Sequence, residues 1–191
     1  MTRQEIAKEL ETILRLDTKP VGIKMYEKAE DLPKKPMPHK LNLCQLVSIA
    51  RCQGRDNSGV PEKMICSMGA ACVGLIETTE VISSGKAAVG AYCKDEVAGK
   101  KFMANTFKLG DTGKKYAGVY VQALESSKVE PDVVVIYATP VQIMRLIHAN
   151  AYDTGEKTRA DTVAEAALCS SIGYAIAEKK VVFRSFRLHQ I

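Results

Sequence analysis

The sequence has no tryptophan, and aromatic residues make up only 6% of its 191 residues. Single-stranded nucleic acids bind where aromatic side chains are interleaved with basic ones. Of the two stretches with a local basic excess, residues 34–40 have no aromatic residue and residues 179–187 have only Phe183 and Phe186, which we do not expect to form such a platform. The net charge of +5 is also mild. We therefore predict that nucleic acids are not among the partners of this protein.

Long apolar runs are absent as well. No run approaches the roughly 18 residues that a membrane-spanning helix needs, and residues 1–14 are charged and amphipathic, without the apolar core of a signal peptide. The sequence therefore predicts a cytoplasmic protein with no membrane span. A length of 191 residues, of which 46% are hydrophobic, suits a single domain, 1–191, that buries a core without disulfides.

Several short motifs are missing too. No Cys-x-x-Cys pair occurs, which excludes the usual zinc-finger and ferredoxin spacings. Neither a Walker A loop nor a Gly-x-Gly-x-x-Gly fingerprint is present. Six cysteines are nevertheless more than a reduced domain of this size needs for packing, so the composition points to metal or redox chemistry.

Hydrophobic periodicity and turn residues predict an α/β (or α+β) fold, in which a mixed β-sheet is flanked by helices. Helices are expected after capping residues, at Thr2, Asn42, Thr139 and Thr162, with a short helix capped by Ser67. Strands are expected over residues 21–26, 87–93, 116–123, 133–137 and 181–186. The first helix and the Thr139 helix have predicted apolar faces, formed by Ile6, Leu10, Ile13 and Leu14, and by Val141, Met144, Ile147 and Ala151.

Two cysteines lie at predicted helix starts. Cys44 falls in the first turn of a helix and Cys66 just ahead of another, where free N–H groups and the helix dipole stabilise a thiolate or the sulfurs of an iron–sulfur cluster. Glycine and alanine between Cys66 and Cys72 would let the backbone approach a bulky cofactor. The alternative is that the small residues pack a helix against the sheet, and that Cys169, which shares a face with Ile172 and Ile176, is a core thiol.

A second candidate site lies where the strand at residues 133–137 meets the following helix. In open α/β sheets this crevice binds ligands, and a helix N-terminus suits an anionic group. Thr139, Pro140 and Gln142 are the candidate binding residues there. The alternative is that Thr139 and Gln142 only cap and solvate the helix.

Several segments, taken in order, resemble an uncharacterised prokaryotic family catalogued as domain of unknown function 169. They are "LDTKPVGIKMY", "LNLCQLVSIAR", "CSMGAACVGL", "EPDVVVIYATPVQIMRLIHANAY" and "AEAALCSS". The resemblance implies that Cys44, Cys66 and Cys169 fall on cysteine positions of the family, and that Pro140 and Gln142 fall on its Pro-x-Gln turn. It brings no established activity. Family members usually continue into a segment with a Gly-x-Arg element, which "KKVVFRSFRLHQI" stops short of.

The leading hypothesis is a redox cofactor held by cysteine ligands, namely an iron–sulfur cluster. Cys44, Cys66 and Cys169 are the best ligands, with Cys72 as the fourth, and the cluster would transfer electrons to a redox partner protein or activate a small ligand. The alternative is a binding module for an anionic or nucleotide-like small molecule, in which the cysteines are structural. A third interpretation is a thiol enzyme with Cys66 as its nucleophile.

Overall fold

A computed structural model describes residues 1–111, 116–161 and 167–182. The helices are α1 (Arg3–Leu14), α2 (Leu43–Gln53), α3 (Ser67–Cys72), α4 (Glu80–Ser83), α5 (Glu96–Thr106), α6 (Lys108–Asp111), α7 (Pro140–Thr154) and α8 (Ala167–Glu178). The strands are β1 (Val21–Tyr26), β2 (Asn57–Gly59), β3 (Gly118–Ala123) and β4 (Val133–Val135). Among the described residues, no helix is both long and apolar enough to cross a membrane.

The four strands form one sheet in the order β2-β3-β1-β4. Ile23 in β1 lies opposite Val121 of β3 on one side and Val133 of β4 on the other, and the described pairings are all antiparallel. Helices and strands are thus combined as predicted, but the sheet is antiparallel where a mixed sheet was expected. Strand β4, which leads into α7, runs antiparallel to its neighbour β1.

One face of the sheet lies against α2 and α8. Alternate residues of the two central strands point into this layer because side chains alternate along a strand; they are Val21, Ile23, Met25, Val119 and Val121. The hydrophobic cluster continues through α2, α3 and α8. The opposite face is covered by loops: Tyr120 donates a 2.6 Å hydrogen bond to Asp56, and Gln122 bonds the backbone at Lys128 and Val129.

The predicted helix starts that fall on described residues are confirmed. Thr2 and Thr139 cap α1 and α7 in complete capping boxes, and the backbone N–H of Asn42 donates to the Gln45 side chain at the start of α2. The short helix α3 begins as expected, but its cap is Cys66 and not Ser67. The start predicted at Thr162 lies outside the described residues.

Two strand predictions were wrong in part or in whole. Residues 87–93 form no strand; a 3₁₀ turn and further turns replace it, with Gly85 and Gly90 at positive φ, because short apolar runs do not specify one structure. Strand β4 ends at Val135, and its middle residue Val134 is 39% exposed, so it is not covered on both faces. Residues 183–186 of the last predicted strand lie outside the described ranges.

The predicted inner faces of α1 and α7 also differ from those observed. In α1, Ala7 and Leu14 are buried, whereas Ile6 and Ile13 are exposed. In α7, Val141 and Met144 are exposed, and the half-buried positions are 142, 143, 146 and 147. Hydrogen bonds from Gln142 to the end of α1, described below, fix this rotation of α7.

Candidate functional site

Three helices bring three cysteines together. Cys44 lies in the first turn of α2, Cys66 caps α3, and Cys169 lies near the start of α8. A Cβ placed on Gly69 of α3 would lie 3.0 Å from the Cys169 sulfur and 3.5 Å from the Cys66 sulfur. The separation of these two sulfurs therefore cannot exceed the sum of those distances. We call Cys44, Cys66 and Cys169 the cysteine cluster.

A hydrogen bond joins Cys44 to Cys169. The Cys169 thiol donates to the Cys44 sulfur, and this bond lowers the pKa of Cys44 to about 7, although burial partly opposes the shift. The same bond, together with burial, raises the pKa of Cys169 well above its ordinary value. Near neutral pH a large fraction of the exposed Cys44 is therefore thiolate, whereas Cys169, which is 5% exposed, stays a neutral thiol.

Cys66 is held by the backbone of its own helix. Its sulfur accepts a 3.3 Å hydrogen bond from the N–H of Gly69, in the position where a serine or aspartate usually caps a helix. The side chain is exposed. Because Gly69 has no side chain, the Cys66 and Cys169 sulfurs can both lie close to it.

Cys72 lies deeper than the cluster. It is fully buried at the far end of α3, about 9 Å along the helix from Cys66 at the usual rise per residue. Its carbonyl oxygen would lie 2.2 Å from a Cβ placed on Gly173 of α8, so the two helices touch backbone to backbone there. It is still near enough to raise the pKa of Cys169 electrostatically.

Arg51 and Tyr137 border the cluster. The Arg51 guanidinium carbon lies 3.9 Å from the centre of the Tyr137 ring. Burial raises the pKa of Tyr137, Arg51 opposes this, and the nearby Cys44, Cys169 and Cys52 add to it. The tyrosine therefore lies within electrostatic range of both the arginine and the thiols.

Sequence reasoning missed Gly69, Arg51 and Tyr137. The glycine was noticed only as one of several small residues, and its contact with the Cys169 sulfur depends on how α3 crosses α8. Arg51 and Tyr137 come from different elements, so no spacing in the sequence signals their contact.

The described residues contain no group of three or more His, Cys, Asp or Glu side chains arranged to hold a single metal ion. The remaining cysteines lie apart from the cluster: Cys52 is exposed near the end of α2, and Cys93 is half-buried in the loop before α5.

The second predicted site is occupied by protein contacts. The Gln142 side chain accepts a 2.6 Å hydrogen bond from the Thr139 N–H and donates to the carbonyls of Leu14 and Arg15, both at 2.8 Å. Pro140 is the first residue of α7, and the Thr139 hydroxyl accepts from the Gln142 N–H. These contacts give Thr139 and Gln142 a structural role as a clamp between α1 and α7. Anion binding at this helix end stays a prediction.

Comparison with known proteins supports the resemblance seen in the sequence. An uncharacterised protein of Methanocaldococcus jannaschii is 28% identical over 182 residues, which cover 93% of this chain and 76% of the relative. No solved structure matches the chain significantly. The family described as "Uncharacterised ArCR" matches residues 9–185, which include the cysteine cluster, Arg51 and Tyr137. The chain therefore belongs to the family of domain of unknown function 169.

Proposed function

We propose that this protein binds an iron–sulfur cluster through Cys44, Cys66 and Cys169, and uses it to transfer electrons or to activate a small ligand at an iron atom that no cysteine holds. The observation that carries the proposal is that Cys66 and Cys169 lie beside Gly69 and that Cys44 is hydrogen-bonded to Cys169, so thiols from three separate helices are neighbours. A core needs no such convergence, and two of the three cysteines are exposed.

A single metal ion and a cluster require different spacings of the ligand sulfurs. Four thiolates around one zinc ion each lie about 2.3 Å from it. In a [4Fe–4S] cluster each thiolate binds a different iron atom, so the ligand sulfurs are more widely spaced. The upper limit on the Cys66–Cys169 separation, set by their 3.5 and 3.0 Å distances from the Gly69 Cβ position, admits either spacing, so the iron and sulfide contents decide between the two.

Local electrostatics favour thiolate ligands. Metal binding requires deprotonated cysteine, and Cys44 with a pKa of about 7 loses its proton easily. The Gly69 N–H already points at the Cys66 sulfur, and hydrogen bonds of this kind stabilise the negative charge of a cluster. Cys44 and Cys66 both lie at helix N-termini, whose partial positive charge acts in the same direction.

Cys72 as a fourth ligand stays a prediction. Its burial at the far end of α3 favours three cysteine ligands and one open iron, which is the arrangement that can activate a ligand. A Cys72→Ala variant separates the two cases: three-ligand binding keeps the iron content, and four-ligand binding reduces it. The predicted cytoplasmic location suits such a site, because reducing compartments keep thiols free for metal.

Anaerobic purification followed by absorption spectroscopy and iron and sulfide analysis tests the proposal. We expect a brown protein with broad absorption near roughly 400 nm and with iron and sulfide in matching amounts. A colourless protein that also takes up no iron and sulfide on anaerobic reconstitution would refute the proposal.

A second candidate is thiol–disulfide exchange, and the Cys44–Cys169 pair favours it. The Cys44 thiolate would attack a disulfide substrate, releasing one thiolate, and Cys169, after losing its proton, would then displace the second and leave a Cys44–Cys169 disulfide. This places the nucleophile at Cys44, whereas the sequence suggested Cys66. Mass spectrometry after incubation with a small disulfide checks it: two hydrogens are lost only if the pair closes.

A further inference from the structure

The Arg51 guanidinium forms no ion pair with a carboxylate in the described part of the chain. Its Nε is buried without a hydrogen-bond partner there, and none of the ion pairs formed among the described residues includes it. A half-buried guanidinium without an ion pair loses part of its hydration, and no bond to a carboxylate compensates for that loss. Such a group is suited to bind an anion, since its planar fork matches carboxylate and phosphate oxygens.

The position of Arg51 directs it toward the cysteine cluster. Cys44 and Arg51 lie two turns apart on the same side of α2, which is about 10 Å of helix rise. Long side chains in helices generally lean toward the N-terminus, which for Arg51 is the end of α2 that carries Cys44. Tyr137, whose ring supports it, is also within electrostatic range of Cys44 and Cys169.

We propose that Arg51 and Tyr137 form an oxyanion-binding subsite beside the cysteine cluster, which takes the carboxylate or phosphate group of a small ligand whose other end reaches the cysteines. The guanidinium binds the oxyanion by paired hydrogen bonds, and the Tyr137 ring holds it in place by a cation–π contact. This deepens the proposed function, because it names the class of ligand that an open iron would meet. The anion contact itself does not require the cluster.

Inorganic phosphate is the probe. Binding is measured by calorimetry on the anaerobically purified protein, with total ionic strength held constant by chloride so that screening does not vary. We expect Arg51→Gln to weaken phosphate binding at least tenfold while iron and sulfide contents stay unchanged. Arg55→Gln, which removes an exposed arginine just past the same helix, serves as the matched control and should bind like the wild type.

Three results would overturn the inference. One is a wild type that binds no phosphate, and another is an Arg51→Gln variant that binds it normally. The third is a Gln142→Ala variant that loses phosphate binding while the Arg51→Gln variant keeps it, which would place the anion at the start of α7. If Arg51→Gln fails to fold, Arg51→Lys keeps the charge but not the fork, and a several-fold loss is then expected. Phosphate binding through Arg51 in a protein without iron would refute the cluster and leave this inference standing.

Discussion

Cys44 is exposed and accepts a hydrogen bond from the buried thiol of Cys169. This hydrogen bond sets the reactivity of Cys44. The Cys169 thiol stabilises the charged form of Cys44, so the thiolate persists as the pH falls from the ordinary pKa of 9.0 to about 7. Only below that value does protonation remove it.

In metal-free protein, the alkylation rate of Cys44 by iodoacetamide should therefore rise with a midpoint near pH 7. Peptide mass spectrometry gives the rate for each cysteine. Cys169→Ala removes the donor and should move the midpoint upward, toward the ordinary value of 9.0. An unchanged midpoint in that variant would show that the hydrogen bond does not set the reactivity.

Gly69 is the residue around which the sulfurs meet, so it tests the site without removing a thiol. In Gly69→Ala the new methyl group would lie 3.0 Å from the Cys169 sulfur and 3.5 Å from the Cys66 sulfur. Alanine favours a helix by about 1 kcal/mol over glycine, so the fold should survive. We expect the variant to retain its circular dichroism spectrum and to lose most of its iron. Full iron content would place the cofactor elsewhere.

At this scale the sequence predicted which residues were candidates but not their contacts. Cys44 and Cys66 could be placed at helix starts because Asn42 with Gln45, and the small residues after Cys66, mark those starts. That Cys169 donates to Cys44 depends on how α8 packs against α2 and α3, which no spacing encodes.

At the scale of elements, α3 and α8 cross with almost no space between them. The crossing has two glycines: Gly69 meets the Cys169 sulfur, and Gly173 meets the carbonyl of Cys72. A sulfur at the end of a side chain can move, whereas a carbonyl fixed in a helix cannot. The same substitution should therefore have different effects at the two positions.

Gly173→Ala should reduce the free energy of unfolding by about 2 kcal/mol or more, because its methyl group would lie 2.2 Å from the Cys72 carbonyl oxygen. Denaturation in urea measures the change. Gly69→Ala is the matched control, with the smaller expected loss of stability. A Gly173→Ala protein as stable as the wild type would mean that the two helices are less closely packed than described.

The contact between α1 and α7 depends on the side-chain amide of Gln142. Gln142→Ala removes the hydrogen bond that completes the capping box and both bonds to the carbonyls of Leu14 and Arg15. We expect a loss of about 1–3 kcal/mol in urea denaturation, with unchanged iron content. Gln53→Ala, at an exposed position, should change stability by less than about 0.5 kcal/mol. Unchanged stability of Gln142→Ala would contradict its role as a clamp.

Elements whose structure is determined by neighbouring residues in the sequence were predictable. Strand β1 alternates along its whole length and α7 opens on Thr-Pro-x-Gln, and both were found where expected. Strand β2, whose residues are Asn-Ser-Gly, was missed because these residues are typical of turns, and only pairing with β3 makes it a strand. The face of α7 was misplaced because a tertiary contact, that of Gln142 with α1, overrides its apolar pattern.

At the scale of the whole molecule, the antiparallel sheet supports α2, and α8 packs beside it, so the cysteine cluster lies at the ends of helices anchored in one hydrophobic cluster. A site of this kind is preorganised, because each ligand belongs to an element whose position is fixed by core packing. Removing one thiol should therefore affect the cofactor and leave the fold intact.

The most direct measurement is iron and sulfide per chain in anaerobically purified wild type, Cys66→Ser and Cys52→Ser. Both substitutions replace an exposed sulfur by oxygen, but only Cys66 belongs to the cluster. We predict that Cys66→Ser loses most of its iron and sulfide while keeping the thermal unfolding of a folded protein, and that Cys52→Ser matches the wild type. Equal iron in all three proteins, or iron in none of them, would contradict the account.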